Sequence, residues 1–155
     1  MQQRKVFTVD EIQQKLEYYC VYQDRCHQEV EKKMWEYRLI PEAREKILLH
    51  LMQHNFLNEE RFSKSYARGK FRIKRWGKQR IVRELKFKDI SAYNIKTALK
   101  EIDEDEYIST LEKVAKMKNE SIKESNSYKK KQKLYQYLYS RGFEANLIQE
   151  VIKEL

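Results

Sequence analysis

Apolar residues along this chain recur every three or four positions between short polar interruptions. That spacing lays side chains along one face of a helix; a half-buried strand would alternate instead. Capping residues punctuate the pattern. Thr8 and Glu11 have the spacing of a capping box, Pro41 suits a first helical position, Asn58 precedes Glu59 and Glu60 as an N-cap before an acidic first turn, and Ser91 caps a further segment. The pattern predicts about nine helices, with turns near 25, 39, 57, 76, 90, 103, 126 and 143. Three glycines and one proline leave little room for sheet turns.

A second regularity links distant segments. Val30, Met34 and Leu39 have the same spacing as Ile81, Leu85 and Ile90, and as Leu134, Leu138 and Phe143: four residues, then five. The sets are offset by 51 and 53 residues, and each is followed by another apolar helix: Ile47, Leu48 and Leu51; Ile95, Leu99 and Ile102; Ile148, Val151 and Leu155. Two residues at i and i+4 share a helix face, and the third falls in the following turn, where it plugs the gap between helices. The expected fold is all-α: three tandem three-helix repeats forming an elongated, curved helical protein. The repeats are expected at 1–56, 57–102 and 103–155. Segment 119–127, NESIKESNS, is polar and reads as a flexible link within the last repeat.

Charge changes this picture in one place only. The chain of 155 residues carries 33 basic and 24 acidic residues, a formal net charge of +9. Residues 61–88 alone hold twelve basic residues and one acid, Glu84, so the other 127 positions sum to −2. Such a concentration of one sign points to a polyanionic partner. On a helix from about 58 to 75, Phe62, Tyr66, Gly69 and Ile73 fall in one stripe and are expected inward. Lys64, Arg68 and Arg75 then point to the far side, with Arg61 and Arg72 flanking them. On the next helix Ile81 and Leu85 face inward while Arg80 and Arg83 point out near Phe87. With Lys70, Lys74 and Lys78 these cations form the candidate binding face. Like charges at i and i+4 oppose helix formation, so an unmixed band is better explained by binding than by solvation. Phosphates suit it, and Phe71, Trp76 and Phe87 are candidates for stacking on unpaired bases, although Trp76 sits at a turn where packing between helices is its first job.

Other chemistry is thinly represented. His50 and His54 have metal-ligand spacing, but Leu51 stands where a zinc protease needs Glu and no third ligand is evident. Cys20 and Cys26 read as buried free thiols of a reducing compartment, with His27 beside them but no paired-thiol motif. Glycines 69, 77 and 142 are isolated, so no phosphate loop is formed, and Asp103 to Glu106 read as the acidic start of a helix. Tyrosines such as Tyr135, Tyr137 and Tyr139 read as packing and interface material. No enzyme, cofactor or metal is expected. No apolar run approaches a membrane span, and MQQRKVFTVDE lacks the apolar core of a secretory signal, so the chain is expected to be cytoplasmic.

The stretch FLNEERFSKSYARGKFRIKRWGKQRIVRELKFKDIS, residues 56–91, resembles the core signature of the RecX family, regulators of the bacterial recombinase RecA. Phe56, Leu57, Asn58, Glu59, Phe62, Ser63 and Tyr66 match its first half, and Gly77, Arg80, Ile81, Glu84, Leu85, Lys88, Ile90 and Ser91 its second, on either side of the basic run to Arg75. DRCHQEVEKKM (24–34) is similar to the family's first-repeat motif and KLYQYLYSRGFEANLI (133–148) to its third. The chain departs from the pattern at Asn58, at Gln28 after His27, and at Asp89, where glycine is usual.

The resemblance implies three three-helix repeats lodged in the groove of the RecA filament on single-stranded DNA, bridging subunits. It also implies modulation, usually inhibition, of ATPase, strand-exchange and coprotease activities, in the setting of DNA repair, recombination and the SOS response. The implied partners are the RecA filament and DNA, single-stranded or double-stranded, with no catalysis implied; a monomer is the simplest expectation for the chain itself. The competing reading is a free-standing helical DNA-binding protein that acts without RecA. Basic residues spread over two helices, without Asn or Gln gathered on one exposed face, argue against groove reading of a specific sequence.

Overall fold

The computed structural model describes residues 6–155, all of the chain beyond its first five positions. Among the described residues there are nine α-helices, one 3₁₀ turn and no strand. They are α1 (Val9–Tyr22), α2 (His27–Met34) with the 3₁₀ turn Trp35–Tyr37, α3 (Pro41–Gln53), α4 (Glu59–Arg72), α5 (Lys78–Phe87), α6 (Ala92–Leu99), α7 (Glu104–Ser121), α8 (Ser127–Ser140) and α9 (Ala145–Lys153). Every expected turn falls between two of these. The expected caps also form: Thr8, Asn58 and Ser91 side chains accept from the backbone N–H three residues on, and Pro41 opens α3; Asp103 caps the acidic start of α7 in the same way.

The chain divides into two compact units, residues 1–62 and 63–155. In the first unit Ile12, Leu16 and Cys20 of α1, Val30 and Met34 of α2, and Ile47 and Leu51 of α3 close one core together with Leu57. Cys20 and Cys26 are both buried free thiols. Desolvation pushes the Cys20 thiol up to about 11, against which the nearby Arg25 and Arg61 act only weakly. His50 is held by Glu17, its Nε2 lying 2.8 Å from Oε1, with the His54 ring against it.

The second unit holds α5 to α9 and most of α4. Ile81 and Leu85, Ile95 and Ala98, Leu111 and Ala115, Leu134 and Leu138, and Ile148 are buried on successive helices. Phe71, Tyr107 and Phe143 form an aromatic run through this core, with centroids 5.8 and 5.6 Å apart. Segment 119–127 is less of a linker than its composition suggests. Residues 119–121 complete α7 and Ser127 opens α8, leaving five residues between them. Within those five, Glu124 accepts from the Asn126 N–H and pairs with Lys133, which holds its carboxyl below the usual range.

The repeated spacing of the sequence has one conformational cause. Arg38, Asp89 and Gly142, each just ahead of Leu39, Ile90 and Phe143, all have positive φ, at 50°, 61° and 101°. A left-handed residue ends a helix by turning the chain so that the next residue's side chain folds back under it. Accordingly the Ile90 N–H donates to the Leu85 carbonyl and the Phe143 N–H to the Leu138 carbonyl, a Schellman closure at both sites. The step of four then five residues is therefore a helix face followed by one turn. Asp tolerates this conformation better than most side chains, so Asp89 can stand where glycine is usual.

Candidate nucleic-acid interface

The basic face is built on α4, the turn 73–77 and α5, and its frame is set from the third repeat. Gly77 N–H donates to the Arg141 carbonyl at 2.8 Å and Gln79 N–H to the Gly142 carbonyl at 2.9 Å. Between them the Lys78 N–H donates to the Tyr107 hydroxyl at 2.9 Å, and that hydroxyl in turn donates to Glu144. All three are N–H groups at the start of α5 that no intrahelical carbonyl can satisfy. Burial first, and then the bond to Glu144, hold the Tyr107 phenol far above its ordinary value. Arg141 completes the lock by donating to the Lys74 carbonyl in the turn after α4. The two basic helices are thus fixed by groups some thirty to seventy residues away.

The turn presents an aromatic and cationic cluster. Trp76 is half-buried, edge-on to Tyr66 with centroids 6.5 Å apart. Arg80 lies 4.1 Å from the Trp76 ring centroid, and Lys70 lies 5.0 Å from Trp76 and 5.3 Å from Tyr66. Packing against Tyr66 is the job the sequence suggested for Trp76. The flanking cations add a second: the rings hold two positive charges at fixed positions beside the turn.

The expected site residues divide into groups. Lys70 and Arg80 gather at Trp76; Lys74, Arg75 and Arg83 are exposed around the same turn and along α5, with Arg75 reaching the Met117 sulfur at 3.8 Å. Lys64 is half-buried on α4. Arg68, Arg72 and Lys78 are paired with acids: Arg68 with Glu101 at 3.1 Å, Arg72 with Glu106 at 3.9 Å, and Lys78 with Glu104 at 2.7 Å. Arg61 is engaged within the first unit, where it donates to Asp24 at 2.7 Å and to the carbonyls of Asn55 and Phe56. Those carbonyls belong to the turn after α3.

Three expectations need correction. The inward stripe of α4 is Phe62, Ser63, Ala67 and Phe71, with Tyr66 half-buried, rather than Phe62, Tyr66, Gly69 and Ile73. Ile73 is 79% exposed, because the helix ends at Arg72 and the chain turns away from the core. Phe71 is 2% exposed and packs on Tyr107, so it offers no face to a base, whereas Phe87 is 78% exposed. The band is also not of one sign in space. Glu101, Glu104 and Glu106 stand outside the basic segment, and folding places α7's acidic first turn against it. Sequence reasoning took Glu104 and Glu106 only as helix-starting residues, passed over Glu101, and missed Tyr107, Arg141 and Glu144. The one signal for the last set was the Arg141-Gly142-Phe143 motif.

An all-α repeat protein carrying a basic, aromatic-centred face in its second three-helix unit is the class that this fold and site define. The family model for the second three-helix domain of RecX matches residues 58–99, and that for the third three-helix domain matches residues 104–152. The chain belongs to the RecX family. It is 33% identical over 114 residues to the regulatory protein RecX of Yersinia enterocolitica, covering 74% of this chain and 66% of that one. With the regulatory protein RecX of Lactobacillus gasseri it shares 29% over 139 residues, 88% of this chain and 51% of that one, and with that of Clostridioides difficile 27% over 111 residues, 72% and 52%. The chain therefore spans about half the length of these last two curated relatives. Its fold is that of RecX from Lactobacillus salivarius, with a TM-score of 0.83 at 22% identity over 95% of this chain and 96% of that one. A second RecX crystal structure gives 0.81 at 22% identity over 100% and 82%.

Proposed function

We propose that this chain regulates the RecA recombinase by binding in the groove of the RecA filament on single-stranded DNA, in the inhibitory sense. ATP hydrolysis, strand exchange and coprotease activity fall as it binds. The observation that carries the reading is the basic face around Trp76, in a chain of a family whose members are regulatory proteins. Lys70, Lys74, Arg75, Arg80 and Arg83 provide the contacts to DNA phosphates or to acidic RecA surface, supported by Lys64. Arg68, Arg72 and Lys78 join them once released from their acids, and Arg61 serves the first unit's own turn.

The same reading organises the chain as three repeats, at 1–56, 57–102 and 103–155, in a cytoplasmic monomer that is not itself an enzyme. Among the described residues, no helix is long and apolar enough to cross a membrane.

RecA ATP hydrolysis on single-stranded DNA, measured with this chain at substoichiometric amounts, tests the reading. A fall in rate is expected, weakened in Lys74→Ala/Arg75→Ala/Arg83→Ala. An unchanged rate together with retained DNA binding would instead describe a free-standing DNA-binding protein.

A further inference from the structure

We propose that the first unit carries a second site for single-stranded DNA, a groove in which unpaired bases stack on Tyr18 and Tyr22 while Lys15 and Lys33 neutralise the phosphates. The groove has a volume of about 740 Å³ and is lined by α1, the turn at Arg25, and the α2 to 3₁₀ segment. It is remote in sequence from the basic segment, and charge counting passes over it because residues outside 61–88 sum to −2.

The lining decides what can occupy it. Tyr18 and Tyr22 are 70% and 72% exposed although each is a large ring, and at i and i+4 they share one face of α1. Exposed rings in succession along a groove give the sequence-tolerant platform that unpaired bases use. Tyr37 and Phe7, packed edge-on with centroids 6.0 Å apart, form the far wall. Other rings here already carry cations: Lys15 lies 4.5 Å from the Phe7 centroid and Arg25 3.8 Å from that of Tyr19. Those contacts tether positive charge at the rim and leave the Tyr18 and Tyr22 faces to a ligand. Lys15, Arg25 and Lys33 outnumber Glu11 in the lining; Arg25 also pairs with Glu29 at 3.7 Å and Lys33 with Glu36 at 3.0 Å, so a phosphate takes Lys33 in exchange for Glu36, and the charged rim suits a nucleotide strand better than an apolar helix. Aromatic faces with cations beside them fit a nucleotide strand better than an acidic peptide, which would use the charges and leave the rings in water.

This inference rests on the reading of the chain as a partner of RecA-bound single strand, so the test must separate the two. Binding of the full chain to fluorescein-labelled oligo-dT and to an abasic deoxyribose-phosphate strand of the same length is measured by anisotropy. Tyr18→Ala/Tyr22→Ala is compared with Tyr18→Phe/Tyr22→Phe, which keeps both rings, and with Lys74→Ala/Arg75→Ala/Arg83→Ala. The expected result is a loss of about tenfold or more for oligo-dT in the alanine pair, none in the phenylalanine pair, and no change for the abasic strand. Equal oligo-dT binding by wild type and the alanine pair overturns the groove, while a loss in the triple variant leaves the basic face standing. Equal losses on both strands show an anion site indifferent to bases, such as an acidic peptide would use, and overturn the proposal too. Failure of the wild type to bind either strand overturns the groove and leaves the basic face to acidic RecA surface.

Discussion

Gly77 and Gly142 meet backbone to backbone. A Cβ on Gly77 would stand 2.2 Å from the Gly142 carbonyl carbon, and one on Gly142 would stand 2.4 Å from the Arg80 Cβ, with φ already at 101°. Two turns 65 residues apart in sequence therefore touch without any side chain between them. The contact lets the Arg141 and Gly142 carbonyls accept from the first N–H groups of α5.

Either glycine replaced by alanine must push backbone away from backbone. Gly77→Ala and Gly142→Ala are each expected to cost roughly 3 kcal/mol or more, the range of changes that force strain into a packed site. Gly69 is the internal control: nothing lies within 4 Å of its would-be Cβ, and it sits within α4. Gly69→Ala is expected to stabilise by about 0.5 to 1 kcal/mol. Urea unfolding of the three variants checks the ordering, and destabilisation by Gly69→Ala equal to that of the others would refute it.

Tyr107 accepts from Lys78 and donates to Glu144, so its hydroxyl links three helices. Tyr107→Phe leaves the Lys78 N–H and the Glu144 carboxylate without that partner and is expected to cost about 1 to 3 kcal/mol. A double-mutant cycle with Glu144→Gln should return a coupling of about 0.5 kcal/mol or more, since the two groups share one bond. Strict additivity would mean the relay contributes nothing.

The three acids that pair with the basic face compete with any phosphate for Arg68, Arg72 and Lys78. These pairs are partly exposed, each worth about 0 to 1 kcal/mol, so they mask the face without closing it. Glu101→Gln/Glu104→Gln/Glu106→Gln is expected to tighten single-stranded DNA binding about threefold to tenfold and to steepen its salt dependence. A salt titration by anisotropy measures both, and an unchanged slope would show that the acids do not compete.

Cys20 gives the first unit an alkaline limit. Its thiol is pushed from an ordinary 9.0 to about 11 by burial, so the folded state keeps a proton that the unfolded chain releases. The sign follows: this stability is fully present below about pH 9 and is lost as pH rises towards 11, by about 2 to 3 kcal/mol in all. Tyr107 acts in the same direction, so the Cys20 part is the difference in pH slope between wild type and Cys20→Ala. Urea midpoints at pH 8 and pH 10.5 measure it, and parallel losses in the two proteins would assign the effect elsewhere.

Helix ends, the all-α class and the repeat offsets of 51 and 53 residues were legible in the sequence because they depend on neighbours within a turn or two. Thr8, Asn58, Ser91 and Asp103 cap with their own side chains, and the left-handed residues Arg38, Asp89 and Gly142 fall where the spacing lengthens from four to five. What tertiary structure alone decided is which cations are paired with acids and which aromatic rings stay exposed. Phe71 turns inward because Tyr107 lies there to receive it, and Ile73 is stranded outside because α4 stops one residue earlier. Arg68, Arg72 and Lys78 are set apart from Lys74 and Arg83 by acids on a distant segment. Charge and burial at a site are sums over everything that packs around it, and a linear sequence supplies only the nearest terms of that sum.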